Sequence, residues 1–207
     1  MNLKKIDAIF SFLAIPFAYA LRALFFFKQP SKKILMVRPG GMGDLIALTH
    51  ALRELQLSPD SYHWLIEKRS EPWAQYLKLN YSCYDRNPIR TLLKHISKFS
   101  EVINTEQRFG LSQVYALACK HPEGRLTSFS TNRLAFLAHN KAQYNPRKNH
   151  EVLSFARIFN PHMLLGPLMK TPSNKDSEYS IIWIAGGNSP SRTMLTPFGQ
   201  LDSTTIT

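Results

Sequence analysis

Hydrophobic positions first cluster between Ile9 and Phe27, a stretch broken by a single charge, Arg22. Lys4 and Lys5 precede it, and Lys28, Lys32 and Lys33 follow. A membrane-spanning helix needs about 20 apolar residues, so spanning is one reading. Arg22 would then snorkel to the interface, and Pro16 is tolerated in such segments. A cleaved signal peptide should end in small residues, whereas this stretch ends Leu24-Phe25-Phe26-Phe27-Lys28. A second reading is a helix lying flat on an anionic membrane. At helical spacing Asp7, Ser11, Ala18 and Arg22 share one face, opposite Phe12, Ile15 and Leu24. A third is a helix buried against the rest of the protein. Residues 1–31 are expected to form a membrane-associating segment.

Beyond Gln29-Pro30-Ser31-Lys32 the pattern alternates between strand and helix. Lys33 to Val37 reads as a buried parallel strand and Pro39-Gly40-Gly41-Met42-Gly43 as a sharp loop. From Asp44, leucines at 45, 48, 52 and 55 recur at helical spacing as far as Leu57-Ser58-Pro59-Asp60. His63 to Ile66 predicts a second strand and Glu71 to Leu77 a second helix, completing a βαβ unit. Fainter strands follow at Glu101–Asn104 and Leu126–Phe129, with helices over Leu111–Cys119 and Glu151–Phe159. Gly166 to Glu178 reads as a linker; Ile181 to Ile184 then opens a new strand, with Gly186-Gly187-Asn188-Ser189 as its turn.

Composition narrows the class. The chain has 207 residues, 44% of them hydrophobic, which excludes a disordered tail. Its 26 basic and 14 acidic side chains give +12, a charge that calls for an anionic partner: nucleic acid, acidic lipid or a phosphorylated substrate. Against nucleic acid, the basic residues are scattered and match no binding motif, and Phe25 to Phe27 sit in the apolar stretch rather than among them. Cys83 and Cys119 suggest neither a disulfide framework nor a zinc site, and a reducing compartment is the simplest reading. The aspartates form no D-x-D pair for a divalent ion.

The loop before Asp44 carries the candidate chemistry. Small residues between a strand and a helix expose backbone N–H groups at the positive end of a helix dipole. No Gly-Lys-Ser/Thr follows, so it is not a P-loop. Gly41-Met42-Gly43, with Glu67 ending the next strand, matches part of a dinucleotide fingerprint, but Ile46 replaces the third glycine. A nucleotide-cofactor (NAD or FAD) oxidoreductase is therefore one alternative. Asp44 itself suits a helix cap, and equally a carboxylate poised to take a proton from a hydroxyl nucleophile.

Lys33 to Thr49, reading KILMVRPGGMGDLIALT, resembles the opening of glycosyltransferase family 9, the lipopolysaccharide heptosyltransferase family. Val102-Ile103-Asn104-Thr105-Glu106-Gln107-Arg108-Phe109, and His150-Glu151-Val152 leading into Phe155, are similar to the same family. The resemblance runs from about Lys33 to Asn188. It implies an α/β, GT-B-type architecture: a Rossmann-like, acceptor-side domain with a parallel sheet at 32–165, a linker at 166–178, and the start of a second Rossmann-like, donor-binding domain at 179–207.

By the same resemblance Asp44 is the catalytic base, with Gly40, Gly41, Met42, Gly43 and Glu106 on the acceptor side. Glu106 reads equally as a solvated charge after a strand, and His150 as a packing or capping residue. Gly186, Gly187, Asn188, Ser189 and Arg192 would fall on the donor side. The implied reaction is inverting transfer of a sugar from a nucleotide-diphosphate donor such as ADP-heptose to a hydroxyl of a lipopolysaccharide-type glycolipid. It needs no cofactor or metal, and its place is the cytoplasmic, inner face of the bacterial inner membrane. After Ser189 the family continues with a basic residue, a Trp-Pro-like element and most of a second domain. Here the chain reads Pro190 to Thr207 in a polar, aperiodic run, so a truncated, impaired enzyme is expected. A non-enzymatic basic membrane-surface protein is the remaining alternative.

Overall fold

The computed structural model describes residues 3–38, 40–145 and 151–161. Among these residues, six strands form one sheet in which every pairing is parallel: β1 (Ile34–Arg38), β2 (Tyr62–Ile66), β3 (Tyr81–Cys83), β4 (Phe99–Asn104), β5 (Lys120–Phe129) and β6 (Asn140–Ala142). Their order is β3-β2-β1-β4-β5-β6. This is the doubly wound α/β order, in which the direction of winding reverses beside β1. The α/β expectation is met. The expected start of a second Rossmann-like domain lies outside the described residues.

Parallel sheets are covered on both faces, and the alternation of side chains sorts this core into two halves. Met36, Trp64, Ile66 and Ile103 point to one face, where they meet α2 (Met42–Glu54), α3 (Glu71–Tyr76) and α6 (Glu151–Phe159). Leu35, Val37, Leu65 and Val102 point to the other. That face is covered by α5 (Gly110–Cys119), by α1 (Leu3–Leu24) through Ala14, Ile15 and Ala18, and by Leu92 of α4 (Pro88–His95). The leucine repeat of α2 is its core stripe: Leu45, Leu48 and Leu52 are fully buried. Two strands, β3 and β6, and the short α4 had no clear sequence signal. Both strands are three residues long and lie at the sheet's edges.

Helix α1 is turned opposite to an ordinary surface helix. Its polar residues Asp7, Ser11 and Arg22 are buried against the domain, together with Ala18. Asp7 accepts hydrogen bonds from the Gly110 and Leu111 amides at 2.9 and 3.1 Å, capping α5 from outside that helix. At the other end, Arg22 Nε donates to the Lys120 carbonyl at 3.1 Å. The two charges thus sit at the ends of α5 that its dipole favours, an anion at the N-terminus and a cation at the C-terminus. Arg22 therefore does not snorkel outward as the spanning reading required; the Lys120 and Pro122 carbonyls, just past the end of α5, hold it. Ile15, assigned from spacing to the outer face, is half-buried on the core side. Between these ends the helices touch closely, because a Cβ on Gly110 would lie 2.6 Å from Ser11 Oγ.

Candidate functional site

The sequence cues converge at the carboxyl-terminal end of β1 and β4, beside the reversal in strand order. Such crevices are where open α/β sheets bind ligands. Arg38, the last residue of β1, is 2% exposed, a burial that a guanidinium tolerates only when paired. Its Nη2 forms an ion pair with Asp44 Oδ2. Its Nη1 donates to the Thr105 carbonyl at 2.8 Å, and its guanidinium lies 5.2 Å over the Phe155 ring of α6. Thr105 is fixed in turn, with its amide and its hydroxyl both donating to the Val37 carbonyl at 3.0 Å.

Asp44 sits in the first turn of α2, where its charge complements the dipole. It does not cap the helix: Gly41 holds the N-cap position without a side-chain hydrogen bond, and Arg38 takes the carboxylate instead. The Asp44 side chain keeps 35% of its surface exposed. Among the described residues, nothing hydrogen-bonds its second oxygen, Oδ1.

The loop residues divide by what surrounds them. A Cβ on Gly40 would lie 2.8 Å from both Arg38 Nη2 and Asp44 Oδ2, so glycine leaves room for the ion pair. The Gly40 carbonyl accepts from Ser70 Oγ at 3.1 Å, which ties the loop to the segment after β2. Gly41 and Gly43 face open space, and Met42 is exposed.

Glu106 is not the solvated charge that its position after a strand allowed. It is 7% exposed, and Oε1 accepts from the Arg108 amide at 2.9 Å. Burial pushes its carboxyl above the usual range, against the pull of that hydrogen bond and of the Arg38 charge, and the Asp44 charge adds to the rise. Arg38, Asp44 and Glu106 therefore form one electrostatic group. Tyr144 stands close by, its hydroxyl donating to Glu151 Oε1 at 3.3 Å. Burial first, then the Glu151 charge, push its pKa up to about 12.

Sequence reasoning gave no site role to Arg38, Tyr144 or Phe155. One signal for Arg38 was present: a lone charge closes an apolar strand directly before a glycine loop. Beside the Glu106 loop opens a cleft of about 330 Å³ lined by Asp7, Arg108, Phe109, Thr131 and Arg133. Asp44 is not among its walls.

Glu67, which the cofactor reading assigned to a ribose, is already engaged: Oε1 accepts from the Tyr84 hydroxyl at 2.7 Å and Oε2 pairs with Arg69. With Ile46 in place of the third glycine, this does not favour a dinucleotide site. Cys83 and Cys119 are free and buried. Among the described residues, no group of three or more His, Cys, Asp or Glu side chains could hold a metal ion. His150 and the donor-side candidates Gly186, Gly187, Asn188, Ser189 and Arg192 lie outside the described residues.

No protein-family model matches the sequence, and no curated protein matches it. Among solved structures, the chain is similar to E. coli heptosyltransferase WaaC with ADP-2-deoxy-2-fluoro heptose, at 17% identity and a TM-score of 0.48 over 61% of this chain and 47% of that one. The same enzyme with ADP gives 18% identity and a TM-score of 0.47 over 61% and 45%. A Haloferax mediterranei glucose dehydrogenase in complex with NADP, zinc and gluconolactone gives 15% identity and a TM-score of 0.35 over 72% and 38%. The chain thus spans just under half the length of the two heptosyltransferase structures.

Proposed function

We propose that this chain forms the acceptor side of a glycosyltransferase of heptosyltransferase type. It would transfer a sugar from a nucleotide-diphosphate donor such as ADP-heptose to a hydroxyl of a lipopolysaccharide-type glycolipid, at the cytoplasmic face of the bacterial inner membrane. The observation that carries this reading is the state of Asp44. Its carboxylate stands at the mouth of a parallel sheet, one oxygen paired with Arg38 and the side chain 35% exposed. The motif from Lys33 to Thr49 supports it independently.

The chemistry follows from that geometry. An acceptor hydroxyl within hydrogen-bond reach of Asp44 Oδ1 would give up its proton as its oxygen attacks the anomeric carbon of the donor. The nucleoside diphosphate leaves from the opposite side with the bonding electrons, which inverts that carbon. Arg38 keeps the carboxylate from rotating away, and Gly40 preserves the space in which the pair forms. Arg108 and Arg133, on the neighbouring cleft, suit a phosphorylated acceptor.

The test is transfer by the full chain, with ADP-heptose and a heptose-free lipopolysaccharide-core glycolipid, read by mass spectrometry. The expected product is the glycolipid heavier by one heptose, formed only when both substrates are present. A chain that neither forms this product nor binds the glycolipid would refute the proposal.

A further inference from the structure

The outer face of α1 is largely uncovered by the described chain. Ile9, Phe10, Phe12, Leu13, Phe17, Tyr19 and Leu24 are each about half exposed or more, and Leu13 reaches 70%. Phe26 and Phe27 continue the row past the helix end. Phe136, on the turn before β6, extends it sideways by stacking on Phe12 with ring centroids 6.4 Å apart. A soluble helix would turn these residues inward and its polar ones outward. Here the reverse holds, and Asp7 and Arg22 are committed to the ends of α5. A contiguous exposed apolar surface of this kind marks an interaction site.

The charges around this face select the occupant. Between Ala8 and Gly43 the chain contains no acidic residue but has Arg22, Lys28, Lys32, Lys33 and Arg38. Lys5, Lys32 and Lys33 are exposed. Lys28 donates to the Leu93 and Ile96 carbonyls, which brings the end of α1 against the end of α4 with its exposed Leu93 and Lys94. Aromatic and aliphatic residues flanked by lysines complement a bilayer with anionic head groups. A second copy docked by two-fold symmetry would instead bring like-charged ends together.

We infer that α1 lies flat in the interface of an anionic lipid bilayer, its apolar face among the acyl chains and its polar face on the domain. The helix is also long and apolar enough to cross a membrane. Crossing would strip Asp7 and Arg22 from their partners at the ends of α5, which the flat arrangement avoids. This inference stands apart from the sugar-transfer reading, since it concerns lipid binding with no substrate present.

The experiment uses the full chain and sealed vesicles of phosphatidylcholine, with and without phosphatidylglycerol, read by flotation. The chain is expected to float with the mixed vesicles and far less with phosphatidylcholine alone. Leu13→Asp with Phe17→Asp should weaken partitioning at least about tenfold, and Lys32→Glu with Lys33→Glu should do so only on anionic vesicles. Circular dichroism should be unchanged in both, because the altered side chains are exposed. An impermeant thiol reagent added outside should label Asn2→Cys and Gln29→Cys alike. Four results would overturn the inference: no flotation of the wild-type chain; undiminished flotation of the aspartate variant; labelling at one end only, the mark of a spanning helix; or a lipid-free dimer dispersed by the aspartate variant.

Discussion

Replacing Arg38 with methionine removes the charge that organises the candidate site while keeping most of its apolar stem. Arg38 makes an ion pair with Asp44, a 2.8 Å hydrogen bond to the Thr105 carbonyl and a face contact with Phe155, all at 2% exposure. Removing one partner of a fully buried pair costs about 3–5 kcal/mol, because the other charge is left unpaired. Asp44 retains a third of its exposure, so water takes over part of that role and the lower end applies, about 3 kcal/mol. Arg38 Nε is buried without a partner, which also limits the loss. Urea denaturation, fitted at constant slope, reads this value directly.

The double variant with Asp44→Asn should be less destabilised than the sum of the single ones, since a neutral pair leaves no orphaned charge. A coupling of about 1–2 kcal/mol is expected. A cost below about 0.5 kcal/mol for Arg38→Met, the usual range of an unimportant surface change, would refute the reasoning. So would strict additivity in the double variant.

Asp7→Ala should cost about 1–2 kcal/mol in urea denaturation by uncapping α5, with faster hydrogen exchange at the Gly110 and Leu111 amides. Burial lowers the pKa of His63 to about 4 and that of His95 to about 3. The unfolded chain takes up these protons near 6.5 and the folded one does not, so stability is full above about pH 6.5 and falls as the pH drops toward 4. Each histidine contributes up to about 1.4 kcal/mol per pH unit, and His63→Gln should remove one share of the slope in thermal melts. Gly40→Ala would force a Cβ to within 2.8 Å of Arg38 Nη2 and Asp44 Oδ2. Transfer activity should fall at least about tenfold, with a loss of stability of about 1–3 kcal/mol.

The alternation of apolar runs and leucine repeats carried most of the fold. β1, β2, α2 and α5 lie within a few residues of the expected spans, and α6 falls on Glu151–Phe159 as read. These elements face the core, where burial imposes periodicity. The edge strands β3 and β6 and the eight-residue α4 are too short to show a period, and neighbouring elements hold them in place. The face shared by Asp7, Ser11, Ala18 and Arg22 was legible, but its partner was not: α5 lies about a hundred residues further along. The same holds at the site. Asp44 announces itself beside a glycine loop, whereas its pairing with Arg38 and the burial of Glu106 exist only once β1 and β4 lie side by side.

The central claim is that Asp44 takes the proton of the attacking hydroxyl. It is tested most directly by comparing heptose transfer from ADP-heptose by the wild-type chain and by Asp44→Asn, with glycolipid binding measured in parallel. Asparagine keeps the shape and a hydrogen bond to Arg38 but cannot accept that proton. The expected result is a fall in kcat of about 10²–10⁴ with acceptor affinity changed less than about threefold. Unchanged kcat in Asp44→Asn, or a loss explained wholly by weaker acceptor binding, would contradict the account.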